Sequence, residues 1–599
     1  MSSHESFTAL ILDRAELHPE REALLLLPES EDRGHAVAVS YRALDAAART
    51  LAGWLQARGA PGERVLLLHA SRRQFAVSFL ACLYAGAVAV PVPPYGGRSH
   101  HEERVAGIVR ETAPCAVLTD AALAPDVSRL LARHGHGSLP CLAADAAPGR
   151  AQWRRPELDP DTVAYLQFTS GSTGSPHGAV VTHGALLANL EALGDLLGGT
   201  SESRIGGWLP LHHDMGLVGQ LLYPLWLGGT SVLLTPEAFV KRPVRWLEAV
   251  GRYGIEVTGA PDFAYELCLR RVTAEQEAGL DLSGLRMAVS GGEPVDSGTR
   301  NAFAARFAAV GLRPQALVAG YGLAESTLLV TGERDGGAER TVDAAALEKH
   351  QLAEPVADGP VRTLLSCGRP GRHARLRIVD PETRQDLPEG RIGEIWVSGP
   401  SVARGYWRDR AATAERFDAR LAAEDGVDTG GPAAAEAGWL RTGDLGTLDD
   451  GRLYVTGRLR EMIVVAGRNL YPQDLEHTVQ RVSTLFGTGS AFGVAAKRER
   501  IVLVQELRTH KCYGLDLEAI AKDVQRCLAE EFQIAVGGVL LVRPGTVRRT
   551  TSGKVERAAM RRLFLSGGIR PLYQQLDKDL LDTAGRGKTL LAPAGHSSR

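Results

Sequence analysis

The chain has 599 residues, 44% of them hydrophobic, and a formal net charge of −2, which describes ordinary globular packing in several domains. No long basic face appears, and Arg548-Arg549 and Arg561-Arg562 are short pairs, so neither nucleic acid nor stable membrane association is expected. The seven cysteines, at 82, 115, 141, 268, 367, 512 and 527, lack C-x-x-C spacing, which argues against a disulfide framework or a zinc site and fits a reducing cytoplasm.

The first twenty residues mix Glu5, Asp13, Arg14, Glu16 and Glu20 among apolar positions, which excludes a secretory hydrophobic core. From Ser40, a predicted N-cap, Leu44, Ala48, Leu51 and Leu55 recur at helical spacing until Gly59, and Val65 to Leu68 reads as a buried strand. The most membrane-like stretch, Phe75 to Val92, contains Gly86 and runs into Pro91, Pro93 and Pro94. A buried helix turning into a short strand is the expectation there, not a span. Ile255 to Gly259 and Met287 to Ser290 read as strands, each followed by helical pattern, as in a sheet with helices on both faces. Leu376 to Val379 and Glu394 to Val397 alternate with period two, which suggests a small antiparallel barrel or sheet. Residues 423 to 438 read as an exposed loop and residues 582 to 599 as a disordered tail.

Between the apolar runs Val163 to Phe168 and Ala179 to Val181 lies Thr169-Ser170-Gly171-Ser172-Thr173-Gly174-Ser175-Pro176-His177-Gly178. Glycines let backbone N–H groups turn inward onto an anion, and the hydroxyls add donors of little bulk, so the run looks built to hold phosphate. A Ser/Gly-rich surface linker has similar composition. It is not a Walker loop, because no lysine follows its last glycine, and Gly585-Arg586-Gly587-Lys588-Thr589 lacks the required first glycine. Four further clusters carry chemistry. Gly320-Tyr321-Gly322-Leu323-Ala324-Glu325 sets an aromatic face beside glycines, with a carboxylate suited to magnesium. Thr442-Gly443-Asp444 offers an acid for ribose hydroxyls, Gly457-Arg458-Leu459-Arg460-Glu461 ends in a charged pair, and Ser552-Gly553-Lys554 puts a lysine just beyond a tight turn. Singly, each of these is an ordinary cap or turn.

In this order, the set resembles the adenylate-forming superfamily of acyl-CoA synthetases, luciferases and peptide-synthetase adenylation domains, over nearly all of residues 7 to 570. The resemblance implies an α/β fold: a large N-terminal domain of two α/β sheet subdomains plus a small β-barrel-like subdomain, over residues 1–459. A smaller mobile α+β domain would span 460–575, with Arg460 at the hinge, and a tail 576–599. ATP and magnesium are the implied cofactors. The triphosphate falls on Thr169, Ser170, Gly171, Ser172, Thr173, Gly174 and His177, and magnesium on Glu325, with Thr169 as a second ligand. Adenine falls on Gly292, Glu293, Pro294, Gly320, Tyr321 and Gly322, ribose on Asp444 with Arg458, and the carboxylate with the α-phosphate on Lys554.

Within the superfamily the likeness is to fatty acyl-AMP ligases. Trp208 to Leu217 resembles their L-P-x-x-H-D-M-G-L segment, Gly322 to Leu328 their G-x-A-E-[AS]-T-L, and Leu459 to Glu476 their stretch containing G-R-N-x-Y-P-x-D-x-E. An extra segment at about 341–362 looks like that subgroup's insertion. His213 would then be catalytic, with Asp214, Met215 and Gly216 at the acyl carboxylate. Amino-acid-activating relatives place an ammonium-binding Asp in a comparable region, and the H-D-M-G context favours the fatty-acid reading. One position departs: many relatives read S-P-K-G, whereas this chain has Ser175-Pro176-His177-Gly178, and a histidine near neutral pH brings less than a lysine's full charge.

The implied activity is ATP-dependent conversion of a fatty acid to acyl-AMP with release of pyrophosphate. Acyl transfer would follow, to the phosphopantetheine thiol of a separate acyl carrier protein, as in polyketide or lipopeptide biosynthesis, since no D-S-L carrier motif occurs here. A fatty acyl-CoA synthetase and a catalytically silent adenylate-binding protein are the alternatives. Retained Lys554, Glu325 and Asp444 argue against silence.

Overall fold

A computed structural model of the chain describes residues 4–29, 34–95, 99–147, 152–168, 177–334, 336–422, 438–465, 468–496, 498–508, 514–550 and 553–583. Its large N-terminal part holds two mostly parallel sheets and a small antiparallel one. The first sheet has nine strands in the order Arg369–Pro370, Leu329–Gly332, Leu317–Gly322, Met287–Gly291, Val257–Ala260, Arg204–Gly207, Thr230–Leu233, Glu22–Leu26 and Val37–Ser40. The second has six, ordered Cys141–Ala143, Ala116–Thr119, Arg64–Leu68, Val88–Pro91, Val163–Phe168 and Gly178–Thr182.

Local signals explain these elements. Ser40 caps the helix Tyr41–Gln56 by accepting from the Ala43 N–H, which satisfies one of the donors a helix start leaves orphaned. Leu44, Ala48, Leu51 and Leu55 are all buried on one face of that helix. The membrane-like stretch becomes the buried helix Arg72–Ala85, ended by Gly86 and followed by the strand Val88–Pro91. Every residue of the strand Arg64–Leu68 is buried, as in parallel sheets covered on both faces, and each such Leu or Val contributes roughly 1.5–3 kcal/mol. The strand expected at Ile255 to Gly259 begins two residues later, at Val257. Gly254 closes the preceding helix there, and the Ile255 N–H still bonds back to the Val250 carbonyl.

Arg375–Val379, Gly393–Ser398, Leu440–Asp449 and Arg452–Arg458 form the expected small antiparallel sheet. Within the segment expected as an insertion, Glu339–Asp343 pairs with Val361–Leu365 around the short helix Ala344–Leu347. Val342 and Leu347 pack there with Ile392, Leu445 and Tyr454 of the small sheet and with Tyr471.

Beyond Arg458 the chain forms a smaller α+β unit. It contains the hairpin Ile463–Val465/Arg468–Leu470 and a four-stranded sheet, Phe486–Ala495, Glu499–Leu507, Gly538–Val542 and Tyr573–Leu576, with its own core. Chain order after the sheet differs from the expected tail at 576: Lys578–Thr583 is a helix with Leu580 fully buried. The expected loop at 423–437, and the tail from 584 onward, lie outside the described residues. Among the described residues no helix is long and apolar enough to cross a membrane.

Candidate active site

A cleft of about 1670 Å³ separates the two parts of the molecule, and residues from both line it. The strands Met287–Gly291 and Leu317–Gly322 run parallel with Gly291 opposite Gly320, so their ends open side by side at its wall. Tyr321 Oη donates to Asp444 Oδ2 at 2.9 Å, and Arg458 Nε donates to Asp444 Oδ1 at 3.0 Å. Burial, and then the Asp444 charge, push the Tyr321 hydroxyl up, which keeps its proton available for that bond. Asp444 and Arg458 stand directly opposite each other on antiparallel strands.

The turn before Asp444 is held from two sides. Glu394 accepts from the Gly443 N–H at 3.1 Å and from Arg441 Nε at 2.9 Å, while Arg416 Nη2 donates to the Thr442 carbonyl at 2.6 Å. Gly443 has φ 72°, and a Cβ there would lie 3.3 Å from Arg416 Nη2, so both the turn and the close approach require glycine.

Glu325 is buried, with Oε1 accepting from Tyr406 Oη at 2.7 Å and its carbonyl accepting from the Ala403 N–H at 2.8 Å. Thr327, two residues on, is held at φ 66° and ψ −58° with Oγ1 donating to the Ser401 carbonyl. A β-branched residue in such a region costs about 1–3 kcal/mol. An anionic oxygen donor lining the cleft is the chemistry a hard divalent cation takes, so Glu325 fits magnesium. Among the described residues no group of three or more His, Cys, Asp or Glu could hold a metal alone.

Lys554 enters the cleft from the smaller unit on a turn in which its N–H bonds Thr550 Oγ1 and its carbonyl accepts from the Thr550 N–H. Its Nζ lies 3.5 Å from the place a Cβ on Gly292 would occupy, and Gly292 has φ 81°. A side chain at 292 would therefore be strained and would crowd the ammonium. Burial, and then the Arg458 guanidinium, lower the Lys554 pKa from the ordinary lysine value, opposed by Asp214, Glu293 and Asp444. Glu293 Oε1 accepts from the Phe263 N–H at 2.9 Å, beside Pro294 in the cleft wall.

His213 to Gly216 follow the strand Arg204–Gly207. Asp214 caps the next helix by accepting from the Met215 N–H at 2.7 Å, and Met215–Leu222 winds as a wide π-helix, a form that favours functional sites. Burial pushes Asp214 up; burial, Arg104 and Lys554 push His213 down to about 3. His213 is therefore neutral at pH 7.

Thr169, Ser170, Gly171, Ser172, Thr173 and Gly174 lie outside the described residues, so the expected phosphate loop is described only from His177 onward. His177 Nδ1 is 3.5 Å from Asp409 Oδ2, and its ring is 5.0 Å from that of Tyr406, the residue that bonds Glu325. His177→Lys should tighten ATP binding by roughly 0.5–1.5 kcal/mol, as one partly screened ionic contact. Isothermal titration would check this, and unchanged or weaker binding would show that residue 177 serves another role.

Around Arg460, which lines the cleft, Glu461 Oε2 accepts from Arg557 Nη1 at 2.7 Å and Glu476 accepts from the same guanidinium at 2.8 and 2.7 Å. A second set of contacts was not foreseen. Arg468 donates from Nε and Nη2 to both Glu348 carboxylate oxygens at 2.6 Å, and Asn469 Nδ2 donates to the Glu348 carbonyl at 2.9 Å. Arg362 pairs with Asp474 at 2.5 Å and lies over the Tyr471 ring. The smaller unit's G-R-N-x-Y-P-x-D stretch thus grips the 341–362 segment. Tyr406 and Asp409 also went unread, because nothing in the intervening sequence marks them as neighbours of Glu325 and His177.

The model of the AMP-binding enzyme family matches residues 11–407, and a Disco-interacting protein 2-like AMP domain matches 460–574. The chain is 37% identical over 576 residues to the medium-chain-fatty-acid–[acyl-carrier-protein] ligase JamA of Moorena producens, covering 94% of this chain and 95% of that one. It is 35% identical over 585 residues to the long-chain-fatty-acid–AMP ligase FadD26 of Mycobacterium tuberculosis, covering 95% and 98%. A fatty acyl-adenylate ligase of Legionella pneumophila, solved with acyl adenylate and pyrophosphate, superposes with a TM-score of 0.73 at 30% identity, over 96% of this chain and 98% of that one. Another structure, from work on the ligases of Escherichia coli and L. pneumophila, gives a TM-score of 0.83 at 30% identity, over 94% and 97%. With a family model matching residues 11–407 and relatives 35–37% identical over almost its whole length, this chain belongs to the AMP-binding enzyme family, among its fatty acyl-AMP ligases.

Proposed function

We propose that the chain joins a fatty acid to the α-phosphate of ATP, releasing pyrophosphate, and then passes the acyl group to the phosphopantetheine thiol of a separate carrier protein, releasing AMP. The observation that carries this reading is Lys554 Nζ at Gly292, in one cleft with the Tyr321–Asp444–Arg458 cluster and Glu325. A carboxylate oxygen attacks the α-phosphorus in line, the new O–P bond forms, and the bond to the pyrophosphate oxygen breaks. Negative charge passes from the carboxylate to the departing pyrophosphate oxygen and is shared over the α-phosphate oxygens, so catalysis is mainly positioning and electrostatics. Lys554 bridges the carboxylate and the α-phosphate. Asp444 accepts from the ribose hydroxyls, with Tyr321 and Arg458 holding it. Adenine packs at Gly292, Glu293, Pro294, Gly320, Tyr321 and Gly322. Magnesium would be held by Glu325, with Thr169 as the second ligand the motif implies, and would supply positive charge beside the phosphates.

Neutral His213 stands beside the acyl carboxylate with Asp214, Met215 and Gly216. Burial raises the Asp214 carboxyl above its ordinary value, and the H-D-M-G context around it favours a fatty acid over an amino acid. The other reading, an acyl-CoA synthetase, shares the first step and differs only in the thiol. Pyrophosphate release from ATP with a panel of fatty acids tests the proposal, and silence across the panel would leave only an adenylate-binding role. Because the two half-reactions need different faces of the smaller domain, Arg460→Pro should keep acyl-AMP formation and lose transfer to carrier. Equal loss of both, by radiolabel transfer, would mean that the hinge lies elsewhere.

A further inference from the structure

Residues 401–407 of the large domain touch both the Glu325 carboxylate and the strand that follows the Ser/Thr/Gly-rich run. They lie antiparallel along Gly178–Thr182, the edge strand of the six-stranded sheet. The Arg404 N–H donates to the Val180 carbonyl at 2.9 Å, the Val180 N–H to the Gly405 carbonyl at 2.9 Å, and the Trp407 N–H to the Gly178 carbonyl at 2.8 Å. A strand edge that would otherwise be open is thereby paired, and segment and strand are held in one register.

The same segment holds the Glu325 turn. The Ala403 N–H donates to the Glu325 carbonyl at 2.8 Å, and Thr327 Oγ1 donates to the Ser401 carbonyl at 2.7 Å, so the backbone is tied at residue 325 and just beyond it. Tyr406 joins the two ends. Its hydroxyl donates to Glu325 Oε1 at 2.7 Å, and its ring centre lies 5.0 Å from that of His177. Phe417 packs perpendicular to the ring at 5.0 Å, and the Tyr406 N–H donates to Thr413 Oγ1 at 2.9 Å. The hydroxyl is thus presented from a buried ring held on several sides.

A neutral donor on one carboxylate oxygen leaves the negative charge in place and leaves Oε2 for a cation. It also fixes the plane of the carboxylate before any cation arrives, and partners of this kind beyond the ligand itself govern metal affinity. Resting on the reading of Glu325 as the magnesium ligand, we infer that Tyr406 is a positioning residue for adenylation. Its hydroxyl aims the Glu325 carboxylate at the metal, and its ring ties that aim to His177 at the end of the phosphate loop. Metal site and phosphate loop are coupled through one side chain.

Substitutions separate hydroxyl from ring. Tyr406→Phe keeps the packing on His177 and Phe417 and removes only the donor, whereas Tyr406→Leu removes both. Manganese binding to the full chain, read from the paramagnetic resonance of the free ion with saturating α,β-methylene ATP, should weaken about tenfold in Tyr406→Phe. Binding of the same analogue without metal should stay within roughly twofold in Tyr406→Phe and weaken by about threefold in Tyr406→Leu, as for loss of an aromatic contact. The magnesium concentration giving half-maximal pyrophosphate release should rise with the manganese constant. A merely structural tyrosine would instead lower the melting temperature and weaken metal and analogue binding together in the Phe variant, which would overturn the inference. Manganese binding unmoved in Tyr406→Phe but weakened in Glu325→Gln would overturn it as well, with the magnesium reading intact. Binding unmoved in Glu325→Gln too would overturn the magnesium reading and the role of Tyr406 with it.

Discussion

Lys554→Ala should slow acyl-AMP formation by about 100-fold or more while leaving ATP binding largely intact, as expected for loss of a donor used mainly in the transition state. From the smaller domain the lysine reaches Gly292, and it shares the cleft with Asp444 and Glu325. Among the described residues the one other lysine of the lining is Lys349, which belongs to the 341–362 segment. The charged ammonium is the active form, so activity is present below its pKa and lost as pH rises through it. Since burial and Arg458 hold that pKa below the ordinary lysine value, the alkaline fall should come earlier than an unperturbed lysine, at about 10.4, would give. Single-turnover rates across pH check both points. An activity loss under threefold, or an alkaline limb that persists in the alanine variant, would remove Lys554 from the reacting centre.

Loosening the grip on the 341–362 segment should have the next largest effect, on the choice of thiol. Lys554 lies in the cleft, and in the same arrangement Glu348 and Arg362 are tied to Arg468, Asn469 and Asp474. Such charge-assisted contacts are worth about 1–3 kcal/mol once exposure is discounted. That amount moves a minor conformer several-fold to about a hundredfold in population. Glu348→Ala combined with Arg362→Ala should therefore raise acyl-CoA formation at least several-fold from near nothing while adenylation continues. Replacing residues 341–362 by a short Gly/Ser linker should raise it further, but this also removes Val342 and Leu347 from their cluster with Ile392 and Tyr454, so its melting temperature must be followed alongside. On the proposed reading, carrier-bound phosphopantetheine should be served in all cases, with protein contacts from the carrier offsetting the bias. Unchanged acyl-CoA yield in the double variant would mean that the grip does not set thiol choice.

Much of the architecture was legible because buried parallel strands are short apolar runs bounded by glycine or proline, as Val65 to Leu68 and Val88 to Pro91 are. The same logic misplaced Ile255, whose N–H is spent on closing a helix, since an apolar residue looks alike on either side of a boundary. Asp444, Tyr321 and Lys554 stand out in the sequence because each sits in a short motif with a glycine that backbone geometry demands, as Gly443, Gly322 and Gly553 show. Their partners were not. Glu394 and Arg416, which fix the Asp444 turn, and Glu348, which meets Arg468 across 120 residues of chain, are ordinary charged residues until tertiary structure brings them together. The specific G-R-N-x-Y-P-x-D spelling signalled that something is recognised there, without naming Glu348 and Arg362 as what it recognises.

The most direct measurement places ATP, magnesium, dodecanoic acid, CoA and a phosphopantetheinylated carrier protein in one reaction with the full chain. Acyl-AMP, acyl-CoA and acyl-carrier are then quantified together by mass spectrometry. Acyl-AMP and acyl-carrier should accumulate with pyrophosphate, and acyl-CoA should stay near background. Acyl-CoA formed at a rate comparable to adenylation would contradict the carrier-directed ligase and make the chain a synthetase.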